Sequence, residues 1–144
     1  MSIFNQEYSK KFSVKKLSKN LFKINTEDHP IHTGTIYRSL NFGRGLEWRI
    51  NYLSNISYGL KLANINLTAK SNVIDLGANI GEFSIFCARK GANVISLEHD
   101  KIVFEALKHN CENYIDKIKP FNYSISNTSE NRFVYYDTLT GSTS

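Results

Sequence analysis

Two cysteines, Cys87 and Cys111, are all that the 144 residues provide. Neither belongs to a CxxC or His–Cys cluster, so a disulfide framework and a thiolate metal site both lack the residues they need. Each falls inside a helical pattern, where free cysteine serves as a small core residue. Long apolar runs are missing too. None approaches the roughly 20 residues that span a bilayer, and Met1 to Lys10 lacks the apolar stretch of a secretory signal. A soluble, cytoplasmic protein is expected. Prolines number two, and no internal repeat or low-complexity segment interrupts the chain. His29 and His32 form an HxxH spacing beside Pro30 with no further ligand candidates nearby, so no metal is expected.

Acidic residues are outnumbered, 13 against 18 basic ones, for a net charge of +5. Much of the excess sits early, in Lys10, Lys11, Lys15, Lys16, Lys19 and Lys23. Neither an arginine-rich stretch nor an RNA-binding aromatic motif accompanies these lysines. They read as a solvated, partly frayed lead-in, and no nucleic-acid partner is expected. Hydrophobic residues at 41% are enough for a packed core and too many for disorder.

Apolar spacing organises the rest. Leu46, Ile50, Leu53, Ile56 and Leu60 mark one face of an amphipathic helix over 46–62, widened by Trp48 and Tyr52. Residues 63–71 read as a polar connector. Val73-Ile74-Asp75-Leu76 predicts a buried strand that stops at glycine. Phe83, Phe86 and Cys87 predict a helix over 81–90, with Gly91 as its C-terminal cap. Asn93 to Leu97 predicts a second strand. Lys101 to Asn113 repeats the helical period, and Phe121, Tyr123 and Ile125 alternate as a third strand. After a polar turn, Phe133 to Tyr136 predicts a fourth. Strand, helix, strand, helix, strand implies crossovers onto a parallel sheet, an α/β fold. The boundaries drawn are an N-terminal extension, 1–71, and a Rossmann-like unit, 72–144.

Chemistry concentrates in Val73-Ile-Asp-Leu-Gly-Ala-Asn-Ile-Gly-Glu-Phe83. Gly77 permits a sharp turn and close approach of a ligand, and Gly81 lets the helix start near the strand. The loop amides and helix N-terminus offer donors to a carboxylate. Glu98 ends the next strand, 17 residues after Gly81, where doubly wound folds place an acid on ribose hydroxyls. The second glycine of the dinucleotide fingerprint is replaced by Asn79, and Asp75 precedes the turn. A nearby carboxylate suits a sulfonium and an ammonium group better than a pyrophosphate, which favours S-adenosylmethionine over NAD.

The stretch Val73 to Ser84, with Leu97-Glu98-His99-Asp100 and Glu105-Ala-Leu-Lys-His-Asn110, resembles the FkbM family of S-adenosylmethionine-dependent methyltransferases. The Asp-x-Gly-Ala-Asn-x-Gly core is characteristic of that family. Its usual acidic-Pro-Asp appears here as Glu98-His99-Asp100, without the proline. Phe121-Asn-Tyr-Ser-Ile-Ser126 resembles the family's third strand and next turn, so the match runs from about Asn72 to Ser144. The resemblance implies a class I methyltransferase fold and O-methylation of a hydroxyl on a sugar or other small metabolite. Carried over by position, Asp75, Gly77, Ala78, Asn79 and Gly81 would hold the methionine end of the cofactor. Glu98 would hold the ribose with His99 beside it, and Tyr123 and Ser124 would lie near the adenine.

The cofactor carries the hard chemistry of methyl transfer, leaving the protein to orient and polarise. His29, His32, His99 and His109 are candidate bases by type, and spacing singles out none of them. Tyr37, Arg38, Trp48 and Arg49 suit an acceptor pocket, although packing against the sheet accounts for them more simply. With 69 residues after Asp75, the sheet is expected to be an incomplete, cofactor-binding half whose exposed edge promotes self-association. Two other readings stay open: a truncated, non-catalytic S-adenosylmethionine-binding half-domain and a nucleotide-binding oxidoreductase domain.

Overall fold

From Ser13 onward the lysine-bearing N-terminal stretch is part of a sheet, not a frayed lead-in, while Lys10 and Lys11 lie outside the described residues. This is seen in a computed structural model that describes residues 12–26, 30–34, 45–52 and 67–127. Strands β1 (Ser13–Ser18), β2 (Leu21–Asn25) and β3 (Ile31–Thr33) pair antiparallel in the order β1-β2-β3. Every residue of β1 is exposed, which is why no apolar alternation announces it. Cross-strand partners hold it in place: Val14 lies opposite Ile24, and Ile24 opposite Ile31. Ile24 and Ile31 are fully buried, so β2 and β3 anchor the hairpin to the core.

Helix α1 (Gly45–Tyr52) falls within the predicted amphipathic helix and buries Leu46 and Ile50. Leu53, Ile56 and Leu60 lie outside the described residues. Trp48 stacks on Tyr52 with ring centroids 5.0 Å apart, and α1 packs against the second helix, α2 (Glu82–Arg89). Arg49 is tied into that contact through Glu82 at 3.0 Å. Packing is therefore what the structure shows for Trp48 and Arg49. Tyr37 and Arg38 lie outside the described residues.

The C-terminal half is the predicted parallel sheet. Strands β4 (Asn72–Leu76), β5 (Asn93–Leu97) and β6 (Ile118–Phe121) hydrogen-bond in the order β4-β5-β6, with Ile74 beside Ile95 and Val94 beside Ile118. Between them run α2 and α3 (Lys101–Asn110), the latter followed by a 3-10 turn, Glu112–Tyr114. Gly91 closes α2 with φ +97°, its amide donating a hydrogen bond to the Ala88 carbonyl, the left-handed residue expected of a C-terminal cap. Cys87 and Cys111 are free and buried. Burial pushes both thiols up to about 12, so they are inert packing groups.

Two expectations for the sheet need correction. The third strand lies earlier than Phe121–Ile125: pairing with β5 begins at Ile118 and ends at Phe121, because β5 itself ends at Leu97. Tyr123 and Ile125 follow the strand and are exposed. Pro120 fits because β6 is an edge strand among the described residues, where a missing N–H has an outer side to face. The first strand is buried on one face only. Ile74 and Leu76 are 64% and 58% exposed, and Ile95 and Phe121 share that open face. The predicted strand at Phe133–Tyr136 lies outside the described residues.

One hydrophobic cluster joins Ile24 and Ile31 of the hairpin, Leu46 and Ile50 of α1, and Ile85, Val94, Leu107 and Ile118 of the parallel unit. At Gly34, after β3, an added Cβ would lie 2.7 Å from the Ile102 side chain. Asn110 fastens the same seam, accepting from the His32 amide at 2.7 Å and donating to the carbonyls of His32 and Ile80. Among the described residues, no helix is long and apolar enough to cross a membrane.

Candidate functional site

The carboxyl ends of β4 and β5 come together over the glycine loop. Gly77 turns the chain with φ +75°, and an added Cβ there would meet nothing within 4 Å. That glycine is required by backbone conformation and leaves open space above it. Gly81 answers to a different demand. Its φ is +97°, and a Cβ would lie 2.8 Å from Leu107 Cδ1 and 3.0 Å from Cys111 Sγ. The first glycine makes room outside the fold and the second makes room inside, the division of labour expected of a nucleotide-binding turn.

The loop is held by the neighbouring strand. The amides of Gly77 and Ala78 both donate to the Leu97 carbonyl at 2.9 Å, and Gly81 N donates to the Ala78 carbonyl. Asn79 takes a left-handed φ of +52°, a conformation asparagine tolerates better than most side chains. Its amide donates to Glu98 Oε2 at 2.9 Å, while Glu98 Oε1 accepts from the Asp100 amide at 2.9 Å. Glu98, 6% exposed, thus clamps two loops with one carboxylate. Each carboxylate oxygen has capacity for a second hydrogen bond. His99 lies beside it, Nδ1 3.4 Å from Oε1. Asp100 caps α3, its side chain accepting from the amides of Ile102 and Val103.

Asp75 does something the sequence did not suggest. It is 7% exposed and turns into the helix-covered side of the sheet. Ser84 Oγ donates to Asp75 Oδ2 at 2.6 Å, and Ser84 Oγ also lies 2.6 Å from Ser96 Oγ. A hydroxyl has one proton to give, so Ser96 donates to Ser84 and Ser84 donates to Asp75. The Ser84 backbone amide also bonds the carboxylate. The chain's own carboxylate thus sits near the N-terminus of α2, where the helix dipole favours negative charge. Burial raises the Asp75 carboxyl above its ordinary 3.8. The Ser84 hydroxyl partly offsets this, and Glu82 and Glu98 add to the rise.

That shift has a consequence for stability. Above 3.8 and below its own higher value, Asp75 holds a proton in the native state that the unfolded chain has released. Stability from this group therefore falls as pH rises through that window. Asp75→Asn is expected to remove this decline, because an amide can accept from Ser84 without charge. Urea unfolding of both proteins from about pH 4 to pH 7 checks it: the curves should converge in acid and diverge toward neutrality. Parallel curves would contradict it.

Ala78 is buried and Gly81 faces α3, so neither offers a side chain to a ligand. Tyr123 and Ser124 are exposed beyond the end of β6, with Tyr123 stacked 6.2 Å from Phe121. They are kept near Glu98 by Asn122, whose Nδ2 donates to the carbonyls of Glu98 and His99 at 2.8 and 3.0 Å. Of the candidate bases, His99 lies at these strand ends, while His32 and His109 meet elsewhere, ring centroids 4.9 Å apart. His29 lies outside the described residues. Ser84, Ser96 and Asn122 escaped sequence reasoning. One signal was available: aligned parallel strands place Asp75 directly beside Ser96, two polar residues at an inward-facing register.

No family model matches the chain, and no curated protein matches it significantly. The resemblance to the FkbM family thus stands on the sequence motifs alone. Among solved structures, the chain is similar to a protein of Pyrococcus horikoshii described as a "putative RNA methyltransferase", at 27% identity and a TM-score of 0.41. The match covers 61% of this chain and 39% of that one, so the chain spans well under half of that structure's length.

Proposed function

We propose that this chain binds S-adenosylmethionine at the carboxyl ends of β4 and β5 and belongs to a methyltransferase that O-methylates a hydroxyl of a small metabolite such as a sugar. The observation that supports the reading most is the pairing of Gly77 with Glu98: open space over a positive-φ turn, beside a buried carboxylate pinned by two backbone amides. Such a carboxylate is oriented before a ribose arrives, so little ordering cost falls on binding. The exposed rings of Phe121 and Tyr123 offer an apolar surface for the adenine. Asp75 enters this proposal as a positioning residue that holds Ser84 and the start of α2, not as a direct contact.

When bound, the cofactor supplies an electrophilic methyl group on a good leaving group. The residues here hold its nucleoside and its methionine end against the loop, with His99 a titratable group 3.4 Å from Glu98. Calorimetry of the full chain with S-adenosylmethionine and with NAD tests the assignment. Saturable binding of the first and none of the second is expected. NAD affinity without S-adenosylmethionine affinity would overturn it in favour of an oxidoreductase domain. A methyl-transfer assay on sugar acceptors then separates an enzyme from a non-catalytic binding half.

A further inference from the structure

The antiparallel sheet carries a row of basic groups that stability alone does not explain. Lys15 lies directly opposite Lys23, and Lys23 directly opposite His32. Cross-strand partners share a face, and like charges placed so, as the two lysines are, are destabilising. Neither lysine has a salt-bridge partner among the described residues. The row continues into α3, where His109 lies 4.9 Å from His32, ring centroid to ring centroid. At its inner end is a cavity of about 350 Å³, lined by Lys23, His32, His109, Asn110, Arg89 and Tyr114 among others.

The hydrogen bonds fix how the two imidazoles present themselves. Asn110 donates through Nδ2 to two carbonyls, so its Oδ1 is the acceptor, and His32 Nδ1, 3.2 Å away, carries the proton. His109 Nδ1 lies 2.6 Å from Glu112 Oε1 and must also carry one. Both Nε2 atoms are left without a hydrogen-bond partner among the described residues. On the rim, Arg89 is neutralised by Glu47 through two hydrogen bonds, and Glu112 is engaged by His109. The uncompensated groups of the pocket are Lys23 and the two Nε2 positions.

We propose that this pocket binds the phosphate group of a small phosphorylated metabolite, with Lys23 Nζ and Nε2 of His32 and His109 as its donors. An oxyanion is the ligand class that turns a repulsive row into charge-assisted hydrogen bonds. The volume suits a phosphorylated small molecule. A nucleic-acid strand would call for aromatic stacking platforms along a groove, whereas the two imidazoles here lie against each other and Tyr114 is the one other aromatic ring among the lining residues. The site does not depend on the cofactor reading.

Binding is coupled to proton uptake. Burial lowers His32 below its ordinary 6.5, with Lys23 and His109 adding repulsion against the Asn110 bond and Glu112. Near neutrality the ring is therefore neutral without ligand and must gain a proton on Nε2 to donate. Affinity should then rise as pH falls through this range.

The test is a titration of the full chain followed by the imidazole resonances of His32, His99 and His109. The probes are inorganic phosphate, glucose 6-phosphate, glucose, and sulfate, whose charge is constant over the range. Saturable shifts of His32 and His109, with His99 still, are expected for the anions and not for glucose. Sulfate should bind about fivefold or more tightly at pH 6.0 than at pH 7.5, and Lys23→Gln should weaken each anion about tenfold. Lys70→Gln, on an exposed turn away from the pocket, should change nothing. Shifts that stay linear to about 50 mM, or equal affinity in Lys23→Gln, would overturn the proposal. So would a single-stranded RNA oligonucleotide that binds more tightly than glucose 6-phosphate and requires Lys15. The wild-type titration decides the matter even if a pocket variant fails to fold.

Discussion

Glu98→Ala is expected to lower the unfolding free energy by about 2–4 kcal/mol and to weaken S-adenosylmethionine binding by about tenfold to a hundredfold. The stability loss follows from the two amides that the carboxylate satisfies, Asn79 N and Asp100 N, each at 2.9 Å. Hydrogen bonds to charged groups contribute roughly 1.5–3 kcal/mol each, and water reaching the loop ends recovers part of what is lost. The affinity loss is separate. A ribose held by a charged acceptor loses a comparable interaction, and about 1.4 kcal/mol is a tenfold change. Glu98→Gln distinguishes the two roles. Its one carbonyl oxygen can keep one amide satisfied, so about half the stability should return. Urea denaturation and calorimetry on the three proteins check this. Unchanged stability in Glu98→Ala would mean the clamp is not formed.

The two loop glycines should fail in opposite ways. Gly81→Ala is expected to cost about 2–5 kcal/mol, combining left-handed backbone strain of roughly 1–2 kcal/mol with overpacking of roughly 1–3 kcal/mol. Leu107, which the new Cβ would strike, is fully buried and cannot swing aside. Gly77→Ala meets no neighbour, so its cost is backbone strain alone, about 1–2 kcal/mol. Its Cβ projects into the space assigned to the ligand, and affinity should drop further than stability does. Gly91→Ala is the control. It shares the φ of +97° and sits close to the Ala69 backbone, far along α2, so it should lose stability and keep affinity. If Gly77→Ala and Gly91→Ala bind equally well, the ligand is not over Gly77.

These residues were legible because their demands are local. A positive φ, a strand that stops at glycine and an acid at the next strand's end all leave marks within the run from Val73 to Glu98. The direction of Asp75 left no such mark. It depends on Ser84 in the first turn of α2 and on Ser96 across the sheet, and both read in sequence as ordinary small polar residues. The hairpin escaped for a related reason. β1 is fully exposed, so its lysines obscure the period that burial would impose. The end of β6 is set by where β5 runs out, not by its own alternation, so Tyr123 and Ile125 only looked like strand positions. Asn110 fell within a helical stripe, yet its work is to join β3 to the glycine loop through the carbonyls of His32 and Ile80. Each miss is a long-range pairing that one strand or helix cannot display.

The proposed cofactor site lies at the ends of β4 and β5. Amide resonances of the full chain, followed as S-adenosylhomocysteine is added, test it most directly. Saturable shifts are expected at Gly77, Asn79 and His99, with smaller ones at Tyr123 and Ser124, while Lys15 and Lys23 on the hairpin stay fixed. Shifts confined to other elements, or none at millimolar ligand, would contradict it.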